Sequence, residues 1–240
     1  YDLDLMNIMD ETTKFLCEEI QGAKFAYVQS DEISILLTDF EKISTAAWFD
    51  GNIQKIVSVS ASLATAQFNR LFSETYDIDG HTVKLSDVTL AFFDARVFTI
   101  PDPTEVANYF IWRQKDAIRN SIAMTAQNLY SHKELEGKSS KDQLDMIHEK
   151  GKNWNKMDAG FKRGRFIDYE YQYDEAAAEE FNKHNDYDPK DRNSYYKYQD
   201  ALDAASLRGF WAINSAPDFV KDVNEGDITL SELIPEYDND

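Results

Sequence analysis

Two short β-rich runs, Lys24 to Gln29 and Ile33 to Thr38, are separated only by the polar step Ser30-Asp31-Glu32. Such a pattern predicts a β-hairpin with acids at its tip. Long helical patterns lie on either side. Leu3 to Gln21 places Leu5, Met9, Leu16 and Ile20 at a helical period, and Gly22 follows as a C-cap. Asn52 to Glu74 carries Ile56, Val57, Leu63, Phe68 and Leu71 with few charges, which predicts a long helix packed on a sheet. Thr89 to Ile100 reads as a further strand, ended by Pro101 and Pro103. Thr104 to Tyr130 returns to a helical pattern through Val106, Phe110, Trp112, Ile118 and Leu129, with Thr104 as its N-cap. Helix, hairpin, helix, strand is most of the ferredoxin-like βαββαβ order, an α+β fold in which helices back an antiparallel sheet. The first strand of that order is missing.

Beyond His132, Gly137 to Ser140 forms a loop that caps a helix from Lys141 to Lys150, closed by Gly151. A basic patch, Lys162-Arg163-Gly164-Arg165, precedes a strand over Phe166 to Tyr173 and a short helix over Asp174 to His184. Asn185 to Arg192 is a turn-rich segment, Gly209 to Asn214 a last strand, and a short helix follows near Pro217 to Lys221. The organisation expected is therefore two parts, residues 1–130 and an extension over 131–240 with a basic patch and an acidic tail.

The formal charge of −19 argues against nonspecific nucleic-acid binding, which needs many Lys and Arg. Asp168 to Asp240 holds 19 acidic and 6 basic residues, so −13 sits there and −6 before it. A local basic surface in the first two thirds stays open. No apolar run reaches the roughly 20 residues of a membrane span, and Tyr1 to Gln21 is too acidic for a secretory signal. A cytoplasmic protein with no membrane partner is the expectation. Cys17, the one cysteine, is expected to be a buried or half-buried inert thiol.

Adjacent carboxylates at a strand end can hold divalent ions against triphosphate oxygens, although acid pairs are also common in solvated turns. The histidines lack metal-ligand spacing: His81, His148 and His184 read as surface residues, and His132 beside Lys133 could touch RNA phosphate. Tyr187 to Tyr198 could stack on bases, but its acidic surroundings favour a solvated or oligomer-facing segment.

Several ordered motifs resemble one family. Ala26-Tyr-Val-Gln-Ser-Asp-Glu-Ile-Ser34, Phe93-Asp94-Ala95-Arg96-Val97, and Tyr109-Phe-Ile-Trp-Arg-Gln-Lys-Asp116 continuing into Arg119-Asn120-Ser121 are similar to the hairpin, next strand and helix of the tRNA-His guanylyltransferase-like proteins. Tyr130-Ser-His-Lys133, Gly137-Lys-Ser139, Trp154-Asn155 and Lys162-Arg-Gly164 follow in the family's order. The resemblance covers about Tyr1 to Asp168. Ile118-Arg119-Asn120-Ser121 is similar to the bacterial, archaeal and phage type, and lacks the histidine that eukaryotic members carry there.

The resemblance implies a polymerase-type palm that adds nucleotides to the 5′ end of tRNA in the 3′-to-5′ direction, with two Mg2+ ions and with ATP and GTP as substrates. It implies Asp31 as a bridging magnesium ligand, Glu32 as a supporting acid, and Ser30, Arg96, Arg113, Gln114 and Asn120 around the nucleotide. Arg119, His132, Lys133, Lys162, Arg163 and Arg165 would be RNA contacts, with Lys115 a further phosphate candidate. Each cation has a plainer reading as a surface charge paired with nearby acids, and Asp116 can simply pair with Arg113 one turn away. The family also implies a homo-oligomer, tetramer or dimer. Its Arg-x-Asp-Gly first strand, with a further metal-binding Asp, is expected upstream of Tyr1 in a longer chain. Two alternatives remain: a palm-type nucleotide cyclase, or a catalytically silent RNA-binding relative.

Overall fold

The computed structural model describes residues 2–40, 42, 44–75, 89–186 and 192–215. They form eight α-helices and four strands, a mixed helix and antiparallel-sheet fold. Contacts divide the chain into one unit of residues 1–167 with 213–240 and a second of residues 168–212.

In the first unit, α1 (Leu3–Glu19) starts under Asp2, whose carboxylate accepts from the Asp4 and Leu5 backbone N–H groups. It buries Met9, Leu16, Cys17 and, just beyond its end, Ile20. Burial pushes the Cys17 thiol up to about 12, so it is inert at neutral pH, in line with the sequence. The helix ends two residues earlier than expected, at Glu19. Gly22 instead opens the hairpin at φ 84°, where a Cβ would stand 2.5 Å from the Thr38 carbonyl oxygen.

β1 (Ala23–Gln29) and β2 (Glu32–Leu37) form that hairpin, pairing antiparallel with Tyr27 opposite Ser34 and Gln29 opposite Glu32. Alternation gives the hairpin two faces. Ile33, Ile35 and Leu37 pack with Leu16, Ile20 and Ala64, hence on α1 and on α2 (Ile53–Thr75). Phe25 and Tyr27 pack with Phe110 and Ala117 of α3 (Pro103–Gln127), Phe25 and Phe110 at 4.7 Å between ring centroids. Covered on both faces, β1 is buried from Phe25 to Gln29.

Two local expectations change. α3 is capped by Asp102, which accepts from the Thr104 N–H at 2.7 Å with Pro103 at the first helical position. Thr104 thus lies inside the helix. Thr89 to Ile100 is not a strand: it has no regular secondary structure, and its Ala91, Phe93, Ala95 and Val97 are half-buried while Phe92, Asp94, Arg96 and Phe98 are exposed. It has the alternation of a strand, but its hydrogen bonds go to side chains of α2. The Ala91 and Phe93 N–H groups donate to Asn69 Oδ1 at 3.0 Å and Thr65 Oγ1 at 3.0 Å.

Further along, α4 (His132–Leu135) and α5 (Ser140–Glu149) begin with Ser131–Glu134 and Ser139–Asp142 capping boxes. α6 (Ala159–Arg163) leads through Gly164 into β3 (Arg165–Tyr173), whose first residues lie beside β1. Gly164 has φ 82°, and a Cβ there would meet the Tyr27 hydroxyl at 2.5 Å. The glycine of the Lys-Arg-Gly motif is thus explained by this close approach.

The second unit contains the rest of β3, most of β4 (Leu207–Ser215), α7 (Glu175–His184) and α8 (Arg192–Ser206). Tyr169 and Trp211 meet edge to face at 5.3 Å, and Phe181 packs on Tyr198. The expected helix at Pro217 to Lys221, His81, and most of the turn-rich Asn185 to Arg192 segment lie outside the described residues.

Candidate active site

The acids stand where the sequence put them, at the hairpin tip. Only Ser30 and Asp31 connect the strands, and Ser30 adopts φ 47°, a left-handed conformation that costs a non-glycine residue about 1 kcal/mol or more. Both are exposed. No partner for the Asp31 carboxylate is present among the described residues, so it faces solvent with its oxygens available.

Glu32 is differently placed. On the α3 side of the hairpin, its Oε2 accepts from Arg113 in a short charge-assisted contact and from Gln29 Nε2 at 3.0 Å. The Arg113 side chain is only 10% exposed. Its other amino group lies 3.9 Å from Asp116 Oδ2, and Asp116 also accepts from Arg119 at 3.0 Å and Asn120 at 3.3 Å. Gln29, Glu32, Arg113, Asp116, Arg119 and Asn120 thus form one continuous polar network along α3. Ser34 and the Tyr109 hydroxyl, 3.0 Å apart, hold the hairpin to the same helix one turn earlier.

Helical spacing explains the assembly. Tyr109, Arg113 and Asp116 follow one another at four and three residues, which brings them onto the face toward β1 and β2. Gln114, expected around the nucleotide, is instead fully buried in the same helix, so its amide faces the protein interior and not a ligand.

Other expected residues lie apart from this network. Arg96 is 87% exposed and 3.7 Å from Asp94. His132 and Lys133 are exposed in α4. Lys162 donates to the Asn155 carbonyl at 2.8 Å, and the half-buried Arg163 accepts the Tyr27 hydroxyl on its backbone carbonyl at 2.5 Å. Burial raises the Tyr27 phenol well above its ordinary value, so it stays a neutral donor.

Arg165 requires a correction. Expected as an RNA contact in the basic patch, it is instead buried, with its Nε donating to Asp10 of α1 at 2.6 Å. Its guanidinium is committed to an internal ion pair and is not offered to a ligand. Burial raises the Asp10 carboxyl above its ordinary value, against the lowering effect of Arg165.

Among the described residues, no group of three or more His, Cys, Asp or Glu side chains could hold a metal ion by itself. One available carboxylate, Asp31, suits a magnesium ion whose remaining ligands are substrate oxygens and water. Glu32 would have to share its charge with Arg113. No described helix is long and apolar enough to cross a membrane.

Sequence reasoning missed Gln29, Tyr109 and the Asp10–Arg165 pair. Helical spacing did signal the Arg113–Asp116 proximity.

A family model described as tRNAHis guanylyltransferase matches residues 1–101. A bacterial tRNA(His) guanylyltransferase-like protein, solved in complex with ATP, is similar over 95% of this chain and 79% of its own, at 38% identity and a TM-score of 0.69. Such a protein in complex with GTP matches 95% of this chain and 78% of its own, at 36% identity and a TM-score of 0.65. The tRNA(His) guanylyltransferase of Debaryomyces hansenii is 27% identical over 72% of this chain and 66% of its own length. The chain spans between about half and two thirds of the curated relatives it matches. With a relative 38% identical and matched over 79% of its length, the chain belongs to the tRNA(His) guanylyltransferase-like family.

Proposed function

We propose that this chain acts in the cytoplasm as a magnesium-dependent nucleotidyltransferase that adds nucleotides to the 5′ end of a tRNA in the 3′-to-5′ direction. The observation that carries the reading is Asp31, an available carboxylate at a two-residue hairpin tip beside an ordered Glu32–Arg113 pair, in a chain of this family. Template-dependent 5′-end repair is favoured over histidine-tRNA guanylylation, because Ile118-Arg119-Asn120-Ser121 lacks the histidine of the eukaryotic members. Residues 1–130 would form a ferredoxin-like palm and residues 131–240 its extension, and the active form would be a homo-oligomer.

The reaction takes two displacements at phosphorus. The tRNA 5′-phosphate oxygen attacks the α-phosphorus of ATP, forming a P–O bond and expelling pyrophosphate. The 3′-hydroxyl of the incoming nucleotide then attacks the activated 5′-phosphorus and expels AMP, its proton passing to solvent. Catalysis of such steps is mostly positioning and charge neutralisation. Magnesium, when bound, would neutralise triphosphate charge and align its oxygens. Asp31 would anchor that charge at the tip. Glu32 and Arg113 would hold each other in place, and the buried Arg113 charge would add a fixed positive field beside the tip rather than a direct contact. Gln29 holds Glu32 in place at 3.0 Å.

Incubation of the protein with ATP, GTP, magnesium and a 5′-truncated tRNA tests the reading. Addition should fall at least a hundredfold in Asp31→Ala, since electrostatic groups at such centres typically contribute about 10²–10³ in rate. Undiminished addition by that variant would remove Asp31 from the mechanism. Product made without tRNA would indicate cyclase chemistry.

A further inference from the structure

Beside the face of α3 that meets the hairpin runs a second face, exposed to solvent. Trp112, Lys115 and Arg119 succeed one another along it at three- and four-residue spacing. Together with Ile118 they line an open groove of about 430 Å³. Trp112 is 52% exposed and Phe98, at the end of the irregular run, is 61% exposed. Tyr109 lies between them, its ring centroid 5.5 Å from Phe98 and 6.1 Å from Trp112. The buried Arg113 guanidinium lies 5.0 Å from the Trp112 ring centroid, which ties the indole to the network at the hairpin tip.

Scattered exposed apolar residues are ordinary, but an exposed indole lining a groove with two cations, in ring contact with Tyr109 and through it Phe98, is a built surface. The cations favour an anionic partner. Arg119 pairs with Asp116 at an exposed site, where exchanging one anionic partner for another costs little. Flat apolar rings favour a ligand with π-faces. A nucleic-acid strand combines the two, and its unpaired bases are what aromatic side chains stack on.

We propose that this groove is a stacking platform for an unpaired base of an RNA strand, with Lys115 and Arg119 on the phosphates beside it. The proposal rests on the tRNA reading above and extends it, because it lays the strand one helix face away from Asp31.

Anisotropy of a fluorescein-labelled single-stranded RNA decamer, titrated with the full chain, tests it. Trp112→Leu should weaken binding about tenfold, within what one stacked base contributes, and Trp112→Phe should restore most of it. Lys115→Ala should reduce the slope of log affinity against log salt by roughly 0.7. A blunt RNA duplex of the same length should be indifferent to Trp112→Leu. The proposal is overturned if the wild type does not bind the decamer, or if folded Trp112→Leu binds it equally well. It is also overturned if GTP alone displaces the decamer from the groove, which would assign the site to a mononucleotide. Loss of self-association in Trp112→Leu by light scattering, with decamer affinity kept, would assign it to a second copy of this chain. Should Trp112→Leu fail to fold, the salt slope of Lys115→Ala decides. The hairpin-tip reading fails separately, through persistent nucleotide addition by Asp31→Ala.

Discussion

Arg165 and Asp10 lie 155 positions apart in the chain, and their side chains are 6% and 9% exposed where they meet. Such a pair recovers its desolvation cost only while both members are present. Arg165→Met should therefore destabilise the protein by about 3–5 kcal/mol in urea unfolding, because it leaves Asp10 buried without its counter-charge. Adding Asp10→Leu should recover most of that loss. If the double variant is no better than the single one, the cost comes from packing around Arg165 and not from the orphaned charge. The pH dependence has a definite sign. Burial raises the folded Asp10 carboxyl above its ordinary 3.8, so its protonated form is the one favoured by folding. Its contribution is fully present below 3.8 and is lost as pH rises through the raised folded value. Relative to Asp10→Asn, the wild type should lose stability across that window, a trend that urea midpoints measured from acid to neutral pH will reveal. Glu32 belongs to the other class of residue. It is half-exposed, and its pairing with Arg113 matters for the positions of the two groups more than for stability.

The elements differ in how far local chemistry determines them. β1 and β2 were legible because alternation and a polar turn specify a hairpin without reference to distant residues. α3 was legible for the same reason, except at its start, where Asp102 with Pro103 outcompetes Thr104 as the cap. Asp102→Ala should therefore cost about 1 kcal/mol and Thr104→Ala much less, as measured by thermal or urea unfolding. Equal costs would return the cap to Thr104. Residues 89–100 show where local reading stops. Their alternation is that of a strand, but a strand exists only through a partner, and the Ala91 and Phe93 N–H groups are taken by Asn69 and Thr65 of α2. The site divides in the same way. The acids of the tip could be read from three adjacent letters, whereas the Arg113 that fixes Glu32 stands 81 positions away. Arg165, inside a basic run, carried the local signature of a surface charge, and only the distant Asp10 explains its burial.

At the scale of the whole molecule, the question is how a chain of net charge −19 approaches a polyanion. Two effects of salt oppose each other. Contacts between a few cations and phosphates weaken as salt rises, by a slope of about −0.7 per neutralised phosphate for a single strand. Repulsion between the acidic chain and the RNA acts over the Debye length, which shrinks from about 30 Å at 0.01 M to about 10 Å at 0.1 M salt. With −13 of the charge carried by residues 168–240, the long-range field is anionic while α3 presents Lys115 and Arg119 locally. Encounter should then be governed by the first and residence by the second. The association rate for a single-stranded RNA should rise between about 0.01 and 0.1 M salt while the dissociation rate rises more, so that affinity still falls with salt, carried by the dissociation rate. A strongly cationic nucleic-acid binder would lose association rate and affinity together. Stopped-flow anisotropy at a series of salt concentrations separates the two rates. An association rate that falls steadily with salt would mean that the cations of α3 steer the strand from a distance, and that the acidic charge of the rest of the chain is shielded from the path of approach.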